Sequence, residues 1–85
     1  MAYPYMLGIK GIQFVWHGEW ADPEVIIKRK VFNYWDIEEI MWEIVEDDYN
    51  VKFNDNVDKF HKFVENLPQK EKRRIYWNVC QVLGI

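Results

Sequence analysis

Val25-Ile26-Ile27-Lys28-Arg29-Lys30-Val31-Phe32 gives way, three residues later, to Asp36-Ile37-Glu38-Glu39-Ile40-Met41-Trp42-Glu43-Ile44-Val45. The first stretch is rich in β-branched residues, which suit a pleated strand. In the second, Ile37, Ile40, Met41, Ile44 and Val45 recur at i, i+3, i+4, i+7 and i+8, the apolar stripe of an amphipathic helix. Asp36 reads as its N-cap, with Glu39 three residues on completing a capping-box-like pair. Trp42 lies about 140° around from Ile37, at the edge of the stripe, at 100° per residue. The period changes from two to 3.6 near residue 35, and that change decides the fold class.

Upstream, Ile12-Gln13-Phe14-Val15-Trp16-His17 alternates, with Ile12, Phe14 and Trp16 predicted on one face and Gln13, Val15 and His17 on the other. Gly8 and Gly11 bracket Ile9-Lys10, and a further short strand is read at Tyr5–Ile9. Asp22-Pro23 is a turn pair, so Ile12–Trp20 and Val25–Phe32 form an antiparallel hairpin in this reading. Lys28 and Lys30 point to one side of the second strand and Arg29 to the other, as on a solvated edge. If the chain turns at Gly18, Trp20 becomes an exposed loop anchor; if the strand continues, Trp20 joins Phe14 and Trp16 on one face.

Downstream, Tyr49-Asn50 ends the first helix, and Asn54-Asp55-Asn56 supplies caps for a second helix carrying Val57, Phe60, Phe63, Val64 and Leu67. Pro68 stops that helix or starts a third from its first position. Ile75, Tyr76, Val79, Cys80, Val82 and Leu83 form the third stripe, with Gly84 as the terminating glycine. The expectation is a single α+β domain over residues 1–85: an N-terminal antiparallel hairpin or small sheet followed by three packed helices.

Composition agrees with a folded globule. The chain has 85 residues, 49% hydrophobic and 29% charged, with no apolar run near the roughly 20 residues that span a bilayer. No membrane association is expected. Met1-Ala2-Tyr3-Pro4-Tyr5 lacks the features of a signal peptide. The one cysteine, Cys80, has no partner in the chain for a disulfide, and both observations predict a reducing, cytoplasmic setting.

The net charge of −3 conceals segregation. Residues 36–58 hold nine acids and one base, Lys52, whereas residues 59–85 hold six bases and two acids. Glu46, Asp47 and Asp48 lie at the carboxyl end of the first helix, and Lys70, Lys72, Arg73 and Arg74 at the amino end of the third, each against the helix dipole. Such clusters either neutralise each other within the monomer or face a partner. Any single acidic run is most often a solvated helix face. Seven carboxylates in the first helix nonetheless suit docking on a basic protein surface, which would also speed encounter.

Chemistry has little to stand on in this sequence. His17, Glu19, Asp22 and Glu24 gather around the hairpin and His61 lies on the second helix, but no phosphate loop, nucleophile elbow, HExxH or paired-cysteine motif occurs. No catalytic residue, metal site or cofactor is therefore assigned. Five Trp, five Tyr and five Phe make 18% aromatics, and Trp and Tyr serve both as core and as contact anchors.

Trp16-His17-Gly18-Glu19-Trp20-Ala21-Asp22-Pro23-Glu24, with Val31-Phe32-Asn33-Tyr34-Trp35-Asp36-Ile37-Glu38, resembles small accessory proteins of bacterial phages and prophages. The resemblance spans roughly residues 16–38, implies a phage or mobile-element origin and the modulation of a host protein, and transfers no site residue. The functional expectation is a non-enzymatic protein-interaction module, an inhibitor or modulator, whose contact surface is Glu38, Glu39, Glu43, Glu46 and Asp47 with Trp20 as anchor. The alternatives are nucleic-acid binding through Lys70, Lys72, Arg73 and Arg74, and a homo-oligomer in which acidic and basic faces meet between copies. A sequence pI of about 5.3 weighs against the nucleic-acid alternative.

Overall fold

The computed structural model describes residues 5–85, so the signal-peptide reading of Met1–Pro4 lies outside the described residues. Three short strands, β1 (Gln13–Val15), β2 (Glu24–Ile27) and β3 (Lys30–Asn33), precede three helices, α1 (Tyr34–Tyr49), α2 (Val57–Glu65) and α3 (Gln69–Leu83). The sheet is antiparallel in the order β1-β2-β3, with Phe14 opposite Val25 and Val25 opposite Phe32. The fold is α+β. Ahead of β1, Met6–Gly8 forms a 3-10 turn and Tyr5 makes a lone bridge to Gln13, where the sequence suggested a strand.

The uninterrupted β-branched stretch Val25–Phe32 is a hairpin and not one strand. It reverses at Lys28-Arg29, whose φ values of 52° and 66° are those of a two-residue type I′ turn. That turn normally takes Asn-Gly, because side chains other than Asn, Asp and Gly strain in the left-handed region. Two bases give no turn signal, which is why residue preference alone reads straight through them.

β1 also departs from expectation. Its buried residue is Val15, while Trp16, expected in the core, is exposed. Ile12, just ahead of the strand, is fully buried. Gly18 has φ +90° and the chain turns there, leaving Trp20 97% exposed on the β1–β2 loop.

α1 begins two residues before the expected cap: Asn33, not Asp36, accepts the Trp35 amide at 2.9 Å. Asn33 sits at the end of β3, so strand and helix join without a loop. The Tyr34 amide donates to the carbonyl of buried Pro23 at 3.0 Å, tying the junction to β2. Asn50 closes α1 in the left-handed conformation, φ 52°. Asn56 caps α2 by accepting the Lys59 amide at 3.1 Å, and Pro68 is the N-cap of α3, one position before the expected one. Gly84 ends α3 at φ 72° as read.

Ile37, Met41 and Val45 bury the inner face of α1 against Val25 and Ile27 of β2 and Ile75, Val79 and Cys80 of α3. Val82, read as part of that stripe, is exposed. Beneath α2, Phe60 meets Trp42 at 4.7 Å and Phe53 at 5.5 Å between ring centroids, an aromatic cluster that fixes one side of Trp42. Among the described residues, no helix is long and apolar enough to cross a membrane.

Candidate functional site

Trp35, Glu38, Glu39, Trp42, Glu43 and Glu46 follow one another at helical spacing and line a groove of about 500 Å³ along α1. Asp55 and Val57, from the α1–α2 connection and the start of α2, line it from the other side. Asn54 and Asp55 both have positive φ, 50° and 62°, which short polar side chains tolerate. Five carboxylates and two indoles therefore share one groove, and no basic residue lines it.

The two tryptophans are held differently. Trp42 is half-buried and packs on Phe53 and Phe60. Trp35 is 56% exposed and stands edge-to-face on Tyr34 at 5.0 Å, which in turn meets Phe14 at 5.4 Å. Phe14 stacks on exposed Trp16 at 6.5 Å, so an aromatic band runs from β1 to the groove.

The carboxylates divide into three kinds. Glu39 and Glu43 are exposed and, among the described residues, have no ion-pair partner. Glu46 is half-buried, and its Oε2 accepts the Phe53 amide at 3.2 Å, so one of the acids placed against the helix dipole serves the following loop. Glu38, expected on the exposed ridge, is buried: its side chain is 9% exposed. Its Oε1 lies 3.5 Å from His61 Nε2, while its Oε2 and the His61 Nε2 are both buried without a hydrogen bond. Glu38 precedes Met41 and Val45 by three and seven residues, so it shares their buried side of α1, and His61 of α2 lies across from it. Burial, and then the Glu38 carboxylate nearby, push the Tyr34 phenol far above its ordinary value. Oε2 itself is enclosed, so Glu38 sets negative charge behind the groove wall, in front of which Glu39 and Glu43 stand exposed.

The remaining expected contact residues lie apart from the groove. Asp47 is exposed one turn on and belongs to a shallow neighbouring depression with Glu43, Glu46 and Lys52. Trp20 is fully exposed but does not line the groove. The aromatic members, Trp35 and Trp42, were not singled out from sequence as contact residues; their i, i+7 spacing, in register with Glu38, Glu39, Glu43 and Glu46, was the available signal.

The basic run of α3 does not form one surface. Lys72 is buried with its Nζ near Gly8, where an added Cβ would lie 2.8 Å from it. Arg74 turns toward the end of α1, 3.8 Å from Asp48 and 3.7 Å from Glu71, over the ring of Tyr49. This one exposed pair is the whole of the neutralisation between α1 and α3 that the described residues show, and such a pair contributes about 0–1 kcal/mol. Lys70 and Arg73 remain exposed. His17 pairs with Glu24 at the sheet, far along the chain from His61 on α2, and the two histidines are not joined in one site. Among the described residues no group of three or more His, Cys, Asp or Glu is arranged to hold a metal ion. No family model matches the chain, and comparison with characterised proteins and with solved structures finds no significant match.

Proposed function

We propose that the chain is a binding module that captures an arginine-bearing segment of a partner protein in the α1 groove. The observation that carries this reading is the groove lining: five carboxylates, of which Glu39 and Glu43 are exposed and unpaired, with two indoles and no base. A guanidinium answers each feature. It is planar and stacks on an indole face, and its fork of donors pairs with a carboxylate in two-point fashion. Its weaker hydration makes transfer into a half-buried groove easier than for an ammonium. Glu39 and Glu43, free of internal ion pairs, steer the cationic segment in, and the aromatic band through Trp35 to Trp16 supplies apolar contact beside it. The module works by binding and not by catalysis. The phage-like wording of residues 16–38 fits a modulator of a host protein that presents such a segment.

The test is titration with short blocked peptides containing one arginine, one lysine or one citrulline, followed by heteronuclear NMR. The arginine peptide is expected to shift the indole resonances of Trp35 and Trp42 and to leave that of Trp20 in place. The double reversal Glu39→Lys/Glu43→Lys is expected to abolish the shifts while preserving the fold, because both side chains are exposed and unpaired. Unmoved Trp35 and Trp42 resonances, or equal response to citrulline, would overturn the reading.

A further inference from the structure

A second groove, of about 400 Å³, has the opposite character. It is lined by Lys10, Gln69, Arg73, Tyr76 and Trp77, and no carboxylate lines it. Trp77 is 55% exposed, and Lys28 Nζ stands 5.6 Å from its ring centroid. Lys10, Lys28 and Arg73 come from three separate places: the segment before β1, the β2–β3 turn and the first half of α3. None of the three lies within ion-pair distance of a carboxylate among the described residues. Gln69 opens α3, whose N-cap, Pro68, offers no side chain to its amides, so the positive end of the helix dipole adds to the same place.

The surrounding backbone holds this arrangement. Gly11 sits at φ +95°, and a Cβ there would lie 2.7 Å from the Tyr76 ring, so the chain runs directly against Tyr76 and sets Lys10 beside it. Tyr76 meets Trp77 edge-on at 5.6 Å and supports the exposed indole. Lys28 is presented by a turn that its own side chain disfavours. A cation held in a strained turn beside an exposed indole is a feature that gathers at ligand sites.

From these observations we propose that the Trp77 face binds single-stranded nucleic acid, a base stacking on Trp77 while adjacent phosphates meet Lys10, Lys28 and Arg73. Stacking on a side chain needs an unstacked base, which a duplex withholds and a single strand offers. Cations supplied from three directions match a run of phosphates and exceed what one mononucleotide carries. The inference is independent of the α1 groove, and uses Arg73 alone of the four bases read from sequence.

Fluorescence polarisation with labelled oligothymidylate of twelve nucleotides tests it. Each neutralised phosphate on a single strand contributes about −0.7 to the slope of log affinity against log salt, so three contacts give a fall of about 100-fold per tenfold rise in salt. Trp77→Ala is expected to weaken binding at least about 5-fold, since loss of one stacking platform has that scale. Lys10→Gln and Arg73→Gln are each expected to flatten the salt slope, with melting temperatures confirming that all three variants fold. Thymidine monophosphate is expected not to displace the strand at equal nucleotide concentration. Absence of binding at low salt, unchanged binding by Trp77→Ala, equal binding of duplex, or equal binding of a polyglutamate peptide would overturn the proposal.

Discussion

Replacing Glu38 by Gln separates a structural role from a recognition role, because the two predict opposite signs. The side chain is 9% exposed; Oε2 has no hydrogen-bond partner, Oε1 faces His61 Nε2 at 3.5 Å, and the Tyr34 phenol lies beside the carboxylate. A buried polar atom left unsatisfied costs about 1–3 kcal/mol, and more when charged. The amide keeps the volume, removes the charge and supplies an N–H₂ donor facing His61. Glu38→Gln is therefore expected to stabilise the fold by about 1–2 kcal/mol. In a domain of this length each kcal/mol moves the midpoint by about 4–8 °C, so calorimetry should record a rise of roughly 5–15 °C. The same variant takes a negative charge from the groove wall, so arginine-peptide affinity is expected to fall by roughly 10-fold, the equivalent of about 1.4 kcal/mol. A lowered midpoint would show that Glu38 holds Tyr34 and His61 together and refute the reasoning. A raised midpoint with unchanged affinity would refute the recognition role alone.

Lys28-Arg29→Asn-Gly is expected to stabilise the β2–β3 hairpin by about 1–2 kcal/mol, as chemical denaturation would show, because Asn-Gly accepts the two positive φ values without strain. Gly11→Ala is expected to destabilise by about 1–3 kcal/mol, since φ is +95° and the new Cβ would press on the Tyr76 ring; a thermal melt within error of the parent would contradict the close approach. Burial first raises the Tyr34, Tyr49 and Tyr76 phenols, with Glu38, Glu71 and Cys80 respectively adding to it, while Arg74 opposes the rise at Tyr49. The unfolded chain then releases these protons near the ordinary value of 10.0 while the folded chain keeps them. Their contribution is full below about pH 10 and is lost as pH climbs through the raised values, so denaturation midpoints should fall over that alkaline range. Glu38→Gln should bring the Tyr34 titration down, read by ultraviolet absorbance of the phenolate.

The helices were legible because their signals are redundant. The stripe from Ile37 to Val45, the stop at Asn50, the caps offered by Asn54-Asp55-Asn56 and the stop at Gly84 agree on three helices, although the first cap is Asn33 and not Asp36. The sheet was less so. A hairpin turned by Lys-Arg has no local signature, and a three-residue strand such as β1 is too short for alternation to choose a face. Its face was set by how Val15 and the fully buried Ile12 reach the core. The acids of α1 were legible as a group but not as a groove. Segregated charge marked the helix, whereas the burial of Glu38 depended on its place beside the Met41–Val45 stripe and on α2 bringing His61 across.

Three features of the molecule run against stability in the same way: an unsatisfied carboxylate at Glu38, two bases in a left-handed turn, and indoles at 35 and 77 left half in water. Each departs from a local preference, and such departures concentrate where a protein meets a ligand. A purely structural account makes each of them an accident of packing whose repair changes only the melting temperature. The recognition account ties Glu38 and Trp35 to one ligand, and Lys28 and Trp77 to another of opposite charge. It therefore requires that Glu38→Gln impair arginine-peptide capture and spare oligothymidylate, and that Lys28-Arg29→Asn-Gly do the reverse. Parallel losses in both assays from either variant would mean that the two grooves do not act as separate sites.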